Sequence, residues 1–312
     1  MGALKPEQLM KTRCIINNFI KITFITFISM ESCKNAKNMV PSLSFKPLPG
    51  KVYNYKISEE KTIHQNFGSG NMNSSIVKNI LLTYESIKLP IKDYNVLAHL
   101  NSYNVKNYHK ITPSFSLSSD FDKSENRSLG LPDDSSSLEK LTDIFGGTIF
   151  RLNIDNSGNI IKFDGYSKIR MKIESQSNQA NLEGVYDEVF FKSLFEKSLI
   201  VFSDGSNCMN WSSLDSIDLL QGPIKFKSTF KIVKIDDSIV HIKTFGKIDH
   251  DIVIPGNLKI RMKGEKMGTI QVEKSSGMLL KKETNLFIKG ALKTNNKIFI
   301  QKLEITTTVD RK

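Results

Sequence analysis

The residues of this chain that could do chemistry are five histidines, three cysteines and a few close-set acids. His64, His99, His109, His241 and His250 are scattered, and even His241 and His250 are nine residues apart, across a strand-like run and a loop. Metal sites use tighter pairs, such as two histidines on one helix face, with a recognisable third ligand. Lone core or surface histidines fit this spacing better, so no metal site is assigned. Cys208 is the one thiol in the body of the chain, and with no partnered histidine in view it reads as a small buried residue rather than a nucleophile. There is no Gly-x-Ser-x-Gly elbow. "FGSGNMNSS" at 67–75 reads as a polar loop, with no lysine where a phosphate loop needs one. The acidic pairs at 133–134 and 236–237 lie in turn-like stretches, and turn formation accounts for them. The expectation is a protein without catalytic residues, metal or cofactor.

The first 33 residues carry a different kind of chemistry. "ITFITFISMESC" is nine uncharged, mostly apolar residues followed by Glu31, Ser32 and Cys33. A membrane-spanning helix needs about 20 such residues, and Asn17, Asn18 and Lys21 interrupt the run before that length is reached. A buried helix would show a polar face and a cap. A signal peptide fits best: basic Lys11, Arg13 and Lys21, then an apolar stretch from Ile22 to Met30. Its basic start is more natural if translation begins at Met10. The ending "MESC" resembles the lipobox of bacterial lipoproteins, in which the cysteine is acylated and becomes the first mature residue. Met30 stands where that motif has Leu, and Glu31 departs from its small residue. On this reading residues 1–33 are a signal peptide, Cys33 is the lipid attachment site, and proline-bearing 34–49 is a tether holding a domain off a membrane.

The body must then supply everything else. A chain of 312 residues accommodates one large or two ordinary domains, and 39% hydrophobic residues place it above disordered compositions. Period-two alternation dominates. "KVYNYKI", "NILLTYESIKL" and "YNVLAHLNSYNV" read as strands, and the Ser- and Asp-rich 116–137 as a surface loop. A short helix is expected over "DSSSLEKLTDIF", ended by Gly146 and Gly147. Next comes a hairpin about "DNSG", then a second helix near 185–198 with Val185, Val189, Phe190 and Leu194 at helical spacing. In the last third, Ile224, Phe226, Phe230 and Ile232 alternate with Lys225, Lys227 and Lys231. Met262 and its neighbours alternate with Lys259, Arg261 and Lys263, and "IFIQKLEITTTV" closes the chain in the same way. One buried and one wet face imply antiparallel sheet.

The net charge of +12, from 44 Lys and Arg against 32 Asp and Glu, permits attraction to nucleic acid, anionic lipid or an acidic partner. Lys225, Lys227, Lys231, Lys259, Arg261 and Lys263 would line one wet face. Without interleaved exposed aromatics they make a poor nucleic-acid surface. They suit either a solvated sheet face or a patch above anionic headgroups.

"GTIFRLNIDNSGNIIK" and "MGTIQVEKSSGMLLKK" share a Gly-Thr-Ile start, a strand and a Ser-Gly turn. Two readings stand: two related antiparallel units, spanning 50–180 and 181–312, or hairpins alike because turn chemistry is shared. With "GKVYNYKI" and "SLIVFSDGSNCMNW", these stretches make residues 48–312 resemble an uncharacterised family of envelope lipoproteins of Gram-negative bacteria. The resemblance implies a location and a fold, not a reaction. The expectation is an α+β protein of mostly antiparallel sheet, with two curved β units and about two packing helices. The helices would close a greasy concave face that takes a hydrophobic ligand or an envelope partner. The alternatives are an assembly module with a filled core, or an unrecognised secreted enzyme.

Overall fold

The computed structural model describes residues 43–66, 70–87, 93–113, 145–175, 186–202, 209–219, 222–254, 258–293 and 298–312. The strands are β1 (Val52–Asn66), β2 (Gly70–Ile87), β3 (Tyr94–Pro113), β4 (Thr148–Ile154) and β5 (Ile160–Asp164), then β6 (Asn210–Leu219), β7 (Gly222–Ile235), β8 (Ile239–Ile254), β9 (Leu258–Glu273), β10 (Leu279–Lys293) and β11 (Ile298–Arg311). Between β5 and β6 lie helices α1 (Tyr166–Ser175) and α2 (Glu188–Glu196). All eleven strands form one antiparallel sheet in the order β5-β4-β3-β2-β1-β11-β10-β9-β8-β7-β6. Sequence neighbours pair throughout each half, and the first and last strands meet at the centre. Tyr55 stands opposite Arg311 and Asn66 opposite Ile300. The mostly antiparallel α+β expectation is met, with both halves continuous in a single sheet.

In the first half, alternation puts Tyr53, Tyr55 and Ile57 on the same face as Ile80, Leu82 and Tyr84, all at most 2% exposed. Helix α2 covers this face with Phe191, Leu194 and Phe195. Phe195 meets Phe150 at 5.0 Å edge-on, and Phe191 stacks on Phe150 at 5.5 Å, the offset and edge geometries that aromatic quadrupoles favour. The helix starts where Asp187 caps it, its carboxylate accepting from the Phe190 amide at 2.8 Å. The Tyr84 hydroxyl, buried beneath the helix end, shares a hydrogen bond with Ser198 Oγ at 2.5 Å.

The second half curls. Asp215 on β6 pairs with Lys266 on β9, although three strand spacings, about 14 Å on a flat sheet, separate those strands. The curl needs side chains to be missing at the bend. A Cβ on Gly264 would lie 2.2 Å from the Phe287 carbonyl oxygen, and one on Gly268 would lie 2.4 Å from that of Glu283. Glycine is the residue that lets neighbouring backbones approach this closely. Inside the curl, Ile224, Phe226, Ile248, Met262, Leu286, Ile288 and Leu303 form a second buried cluster.

Several details differ from the sequence expectations. The hairpin β4–β5 ends at Asp164, and α1 follows, burying Ile169 and Ile173 one turn apart. Gly165, at φ +114°, makes the break. In α2 the inward side is Phe191, Leu194 and Phe195, while Val189 is 67% exposed. Residues 70–75, expected in a loop, begin β2. Residues 43–49, expected in the tether, are laid into the fold: Phe45 is buried, its amide donates to Asn156 O at 2.7 Å, and the Lys46 amide donates to Ser276 O at 2.8 Å. Burial of the one aromatic among the prolines and these backbone hydrogen bonds together hold the segment. The "DNSG" and "EKSSG" turns form where expected, with Gly158 and Gly277 at positive φ. The expected helix before Gly146 lies outside the described residues except for Phe145.

Phe191→Ala is expected to lower unfolding stability by roughly 3–5 kcal/mol, against less than about 0.5 kcal/mol for Val189→Ala. Urea unfolding of the two variants measures the difference. Equal effects would contradict the helix orientation described here.

Candidate functional site

Helix α2 does not sit flat on the sheet. Phe190, Ser193, Glu196 and Lys197, which share one side of it, roof a cavity of about 270 Å³ whose floor comes from β1, β2, β6, β7 and β9 to β11. The sheet register lays out that floor. Glu59 of β1 stands opposite Lys78 of β2 and Thr307 of β11, and Thr307 opposite Thr284 of β10. One step along the strands, Lys61, Ile305 and Leu286 form the next row. The lining is therefore divided. Most of the charged groups cluster under the end of the helix, and Ile217, Phe226, Leu286 and Ile305 line the remainder, with Lys61 beside Ile305.

The charges are mostly answered. Glu59 is 7% exposed and pairs with Lys78 at 3.2 Å and with Lys197, tying α2 to β1. Burial alone would push the Glu59 carboxyl up, but the ammonium groups of Lys197 and Lys78 hold it down at about 2. Asp215 behaves similarly. Burial opposes its ionisation, Lys266 outweighs burial, and the Ser228 hydroxyl donates to it at 2.9 Å, so its carboxyl lies below the usual range. Glu196 is shifted the other way, upward, chiefly by burial.

Lys282 is the exception. Its ammonium donates to the Lys197 carbonyl oxygen at 3.2 Å and has no carboxylate at ion-pair distance among the described residues. Removal from water, with Lys266 adding repulsion, lowers it to about 8. Lys282 also lines a neighbouring cavity of about 200 Å³, which shares Glu196, Asp215 and Lys266 with the first and is otherwise walled by groups such as Ile160, Leu199, Phe230 and Ile270. Thr244 lines this second cavity, and its buried hydroxyl has no hydrogen-bond partner among the described residues. Together these groups can hold an amphiphile: apolar walls for a chain, and cationic and hydroxyl donors for a polar end.

The residues singled out in the sequence lie elsewhere. Lys225, Lys227 and Lys231 of β7 and Arg261 and Lys263 of β9 are exposed on the outer face of the sheet, away from the cavity. Lys259 continues the β9 register opposite Val253, with its side chain outside the described set. Arg261 is answered by Asp249, which accepts from both ends of the guanidinium at 3.0 and 3.1 Å. Between these lysines the outer face carries exposed apolar groups: Phe245 opposite Met267, with Phe287 on the next strand. Cys33 and Cys208 lie outside the described residues. His241 is hydrogen-bonded to Asp236 at 2.7 Å and His64 to Asn73 at 2.8 Å. Among the described residues no three His, Cys, Asp or Glu side chains gather as a metal site would require.

The cavity residues Glu59, Asp215, Lys266 and Lys282 escaped sequence reading, yet they left a signal. Each stands in the inward phase of its strand. Glu59 follows Tyr53, Tyr55 and Ile57, and Lys282 precedes Thr284, Leu286 and Ile288 at the same spacing. A charge in the buried phase of an alternating strand is the mark of a polar site inside a sheet.

No curated protein matches the chain. It is similar to a solved structure described as "lipid-protein interactions in lipovitellin", with a TM-score of 0.49 and 9% identity, over 85% of this chain and 25% of that one. The chain thus spans a quarter of the length of that structure. A family profile described as "Family of unknown function (DUF6263)" matches residues 107–279, more than half of the sequence, and the chain belongs to that family.

Proposed function

We propose that this protein is a lipid-anchored component of a bacterial cell envelope that holds an amphiphilic ligand beneath α2, without catalysing a reaction on it. The observation that carries the reading is the divided lining of the cavity. A filled core has no use for a roughly 270 Å³ space with most of its charged groups under the helix end and Phe226, Leu286 and Ile305, beside Lys61, in the remainder. The volume lies near the small end of ligand pockets and suits one acyl chain better than a multi-chain lipid. The alternative of an assembly module with a packed interior is less well supported for the same reason.

The anchor is Cys33, placed by its position directly after the apolar run. The outer face of β7 to β10 is the side turned toward the membrane. Phe245, Met267 and Phe287 are 48%, 51% and 40% exposed there, among Lys227, Lys243, Lys247, Lys263 and Lys289. Glu265 and Glu304 flank Phe287 on the neighbouring strands, but the lysines around Phe245 and Met267 complement an anionic lipid surface, where each nearby lysine adds about 1 kcal/mol of attraction.

Three outcomes are expected. With Nile red as an apolar probe, Leu286→Trp lowers binding at least about tenfold by filling the cavity, and Ile161→Trp on the exposed edge strand leaves it unchanged. Equal binding by both variants would remove the cavity from the proposal. Expressed in a Gram-negative host, the chain carries acyl groups on Cys33 by mass spectrometry and fractionates with membranes, whereas Cys33→Ser does neither. Cleavage at another position would end the anchor reading. Finally, the Cys33→Ser chain co-sediments with phosphatidylglycerol-containing vesicles in a salt-sensitive way. Adding Phe245→Ser and Met267→Ser weakens that binding, and no change would show that this face is merely solvated.

A further inference from the structure

We propose that the ligand's polar end is a singly charged carboxylate seated at Lys282, with the acyl chain running toward Leu286 and Ile305. The inference rests on the amphiphile reading of the cavity and names the chemistry of its charged end. Five lysines line the larger cavity, namely Lys61, Lys78, Lys197, Lys266 and Lys282, against the acids Glu59, Glu196 and Asp215. Glu59 is taken by Lys78 and Lys197, and Asp215 by Lys266. Burial raises the Glu196 carboxyl against the lowering pull of Lys192. With five lysines against three acids the wall carries more cations than acids, and Lys282 has no carboxylate at ion-pair distance among the described residues. Its ammonium has a backbone carbonyl as partner and lines both cavities. A partly buried ammonium without a carboxylate is costly unless an anion joins it.

The class of anion follows from the donors. Phosphate and sulfate esters are held by arginine forks or several cations at once. No arginine lines either cavity among the described residues, and Lys78, Lys197 and Lys266 are committed to acids. One ammonium, with the unpartnered Thr244 hydroxyl in the adjoining space, suits one carboxylate. The apolar wall is in the right place for the rest of the ligand. Leu286 lies four residues along β10 from Lys282, about 14 Å at the rise of a strand, on the same face.

The test uses the full chain carrying Cys33→Ser, so that no acyl group of its own competes. Dodecanoic acid, dodecanol and dodecyl phosphate are titrated by calorimetry at pH 7 and pH 9. The charged groups facing Lys282 are Lys266 of β9, Asp215 of β6, and Glu196 and Lys197 at the end of α2. The sign follows from these groups. Lys282 is mostly charged at pH 7 and mostly neutral at pH 9, while the bound carboxylic acid stays ionised, so the acid binds more weakly at pH 9 and the alcohol does not.

The expected pattern at pH 7 is dodecanoic acid about tenfold tighter than dodecanol, a preference that Lys282→Met removes and Lys282→Arg keeps. Lys282→Arg, charged throughout, also abolishes the difference between pH 7 and pH 9. If the pH dependence persists in that variant, ionisation of Glu196 or another group is its source and the assignment to Lys282 falls. If acid and alcohol bind alike and Lys282→Met changes nothing, the headgroup inference is overturned while the cavity reading stands. Tighter binding of dodecyl phosphate would replace the carboxylate with a phosphate monoester. If no probe binds the parent chain at all, the amphiphile reading itself is wrong.

Discussion

The antiparallel pairing of β1 with β11 is the contact on which the rest of the molecule depends. It joins residues near 55–66 to residues near 300–311 and makes one sheet of two meanders that are otherwise local in sequence. Every other strand pair is between sequence neighbours, so this seam carries the long-range loop-closure entropy of the fold. It also sets the chemistry of the site. With Ile57 opposite Val309 and Val309 opposite Lys282, Glu59 of the first meander and Lys282 of the last come to lie a few strands apart on one face. A slip of one residue along the seam would send Glu59 and Lys61 to the outer face, together with Tyr53, Tyr55 and Ile57.

The second constraint is the curl of β6 to β9. Gly264 and Gly268 remove the side chains that would block it, and Asp215 reaches Lys266 across the concave face once the bend is made. The ion pair is not the cause of the fold's stability. Desolvating two charges roughly cancels what their attraction returns, and apolar residues of the same volume would serve a core as well or better. The same holds for Glu59 between Lys78 and Lys197. Charges in the inward phase of four separate strands are therefore poorly explained as scaffolding, and better explained as the polar side of a binding cavity.

Much of the architecture was legible in the sequence. Strict alternation in β7, β9 and β11 specified which residues are wet, and the lysines of β7 stand on the outer face as that pattern requires. The Asp-Asn-Ser-Gly turn was readable because Asp155 accepts from the Ser157 and Asn159 amides, a geometry local to five residues. Other features depend on tertiary context. Strand β6, "NWSSLDSIDL", is too polar to announce itself, and its inward Trp211 is held by distant partners, stacked on Phe230 at 5.3 Å and donating to the Val201 carbonyl at 2.8 Å. Helix α2 is apolar at Val189, Phe190, Phe191, Leu194 and Phe195, nearly all round, so spacing alone could not say which side faces the sheet. The cavity charges were visible as residues but not as a site, because nothing local indicates that Glu59 and Lys197 meet across 138 positions.

The segment before β1 links the two ends of the proposal. Its backbone donates to the turn of the β4–β5 hairpin through Phe45 and to the turn of the β9–β10 hairpin through Lys46. The chain is thus pinned to the folded body from about residue 43 onward. With Cys33 acylated, ten residue steps at most separate the lipid from that pin, and a fully extended chain of that length reaches roughly 35 Å. On the anchor proposal, a body held this close would meet the bilayer often, so even weak attraction by a few lysines and exposed aromatics would act at high effective concentration. The apolar groups at Phe245 and Met267 and the cavity at Leu286 lie on opposite faces of the same strands. A protein resting on its outer face would therefore present the α2 side, with its ligand, away from the membrane and toward whatever delivers or receives it.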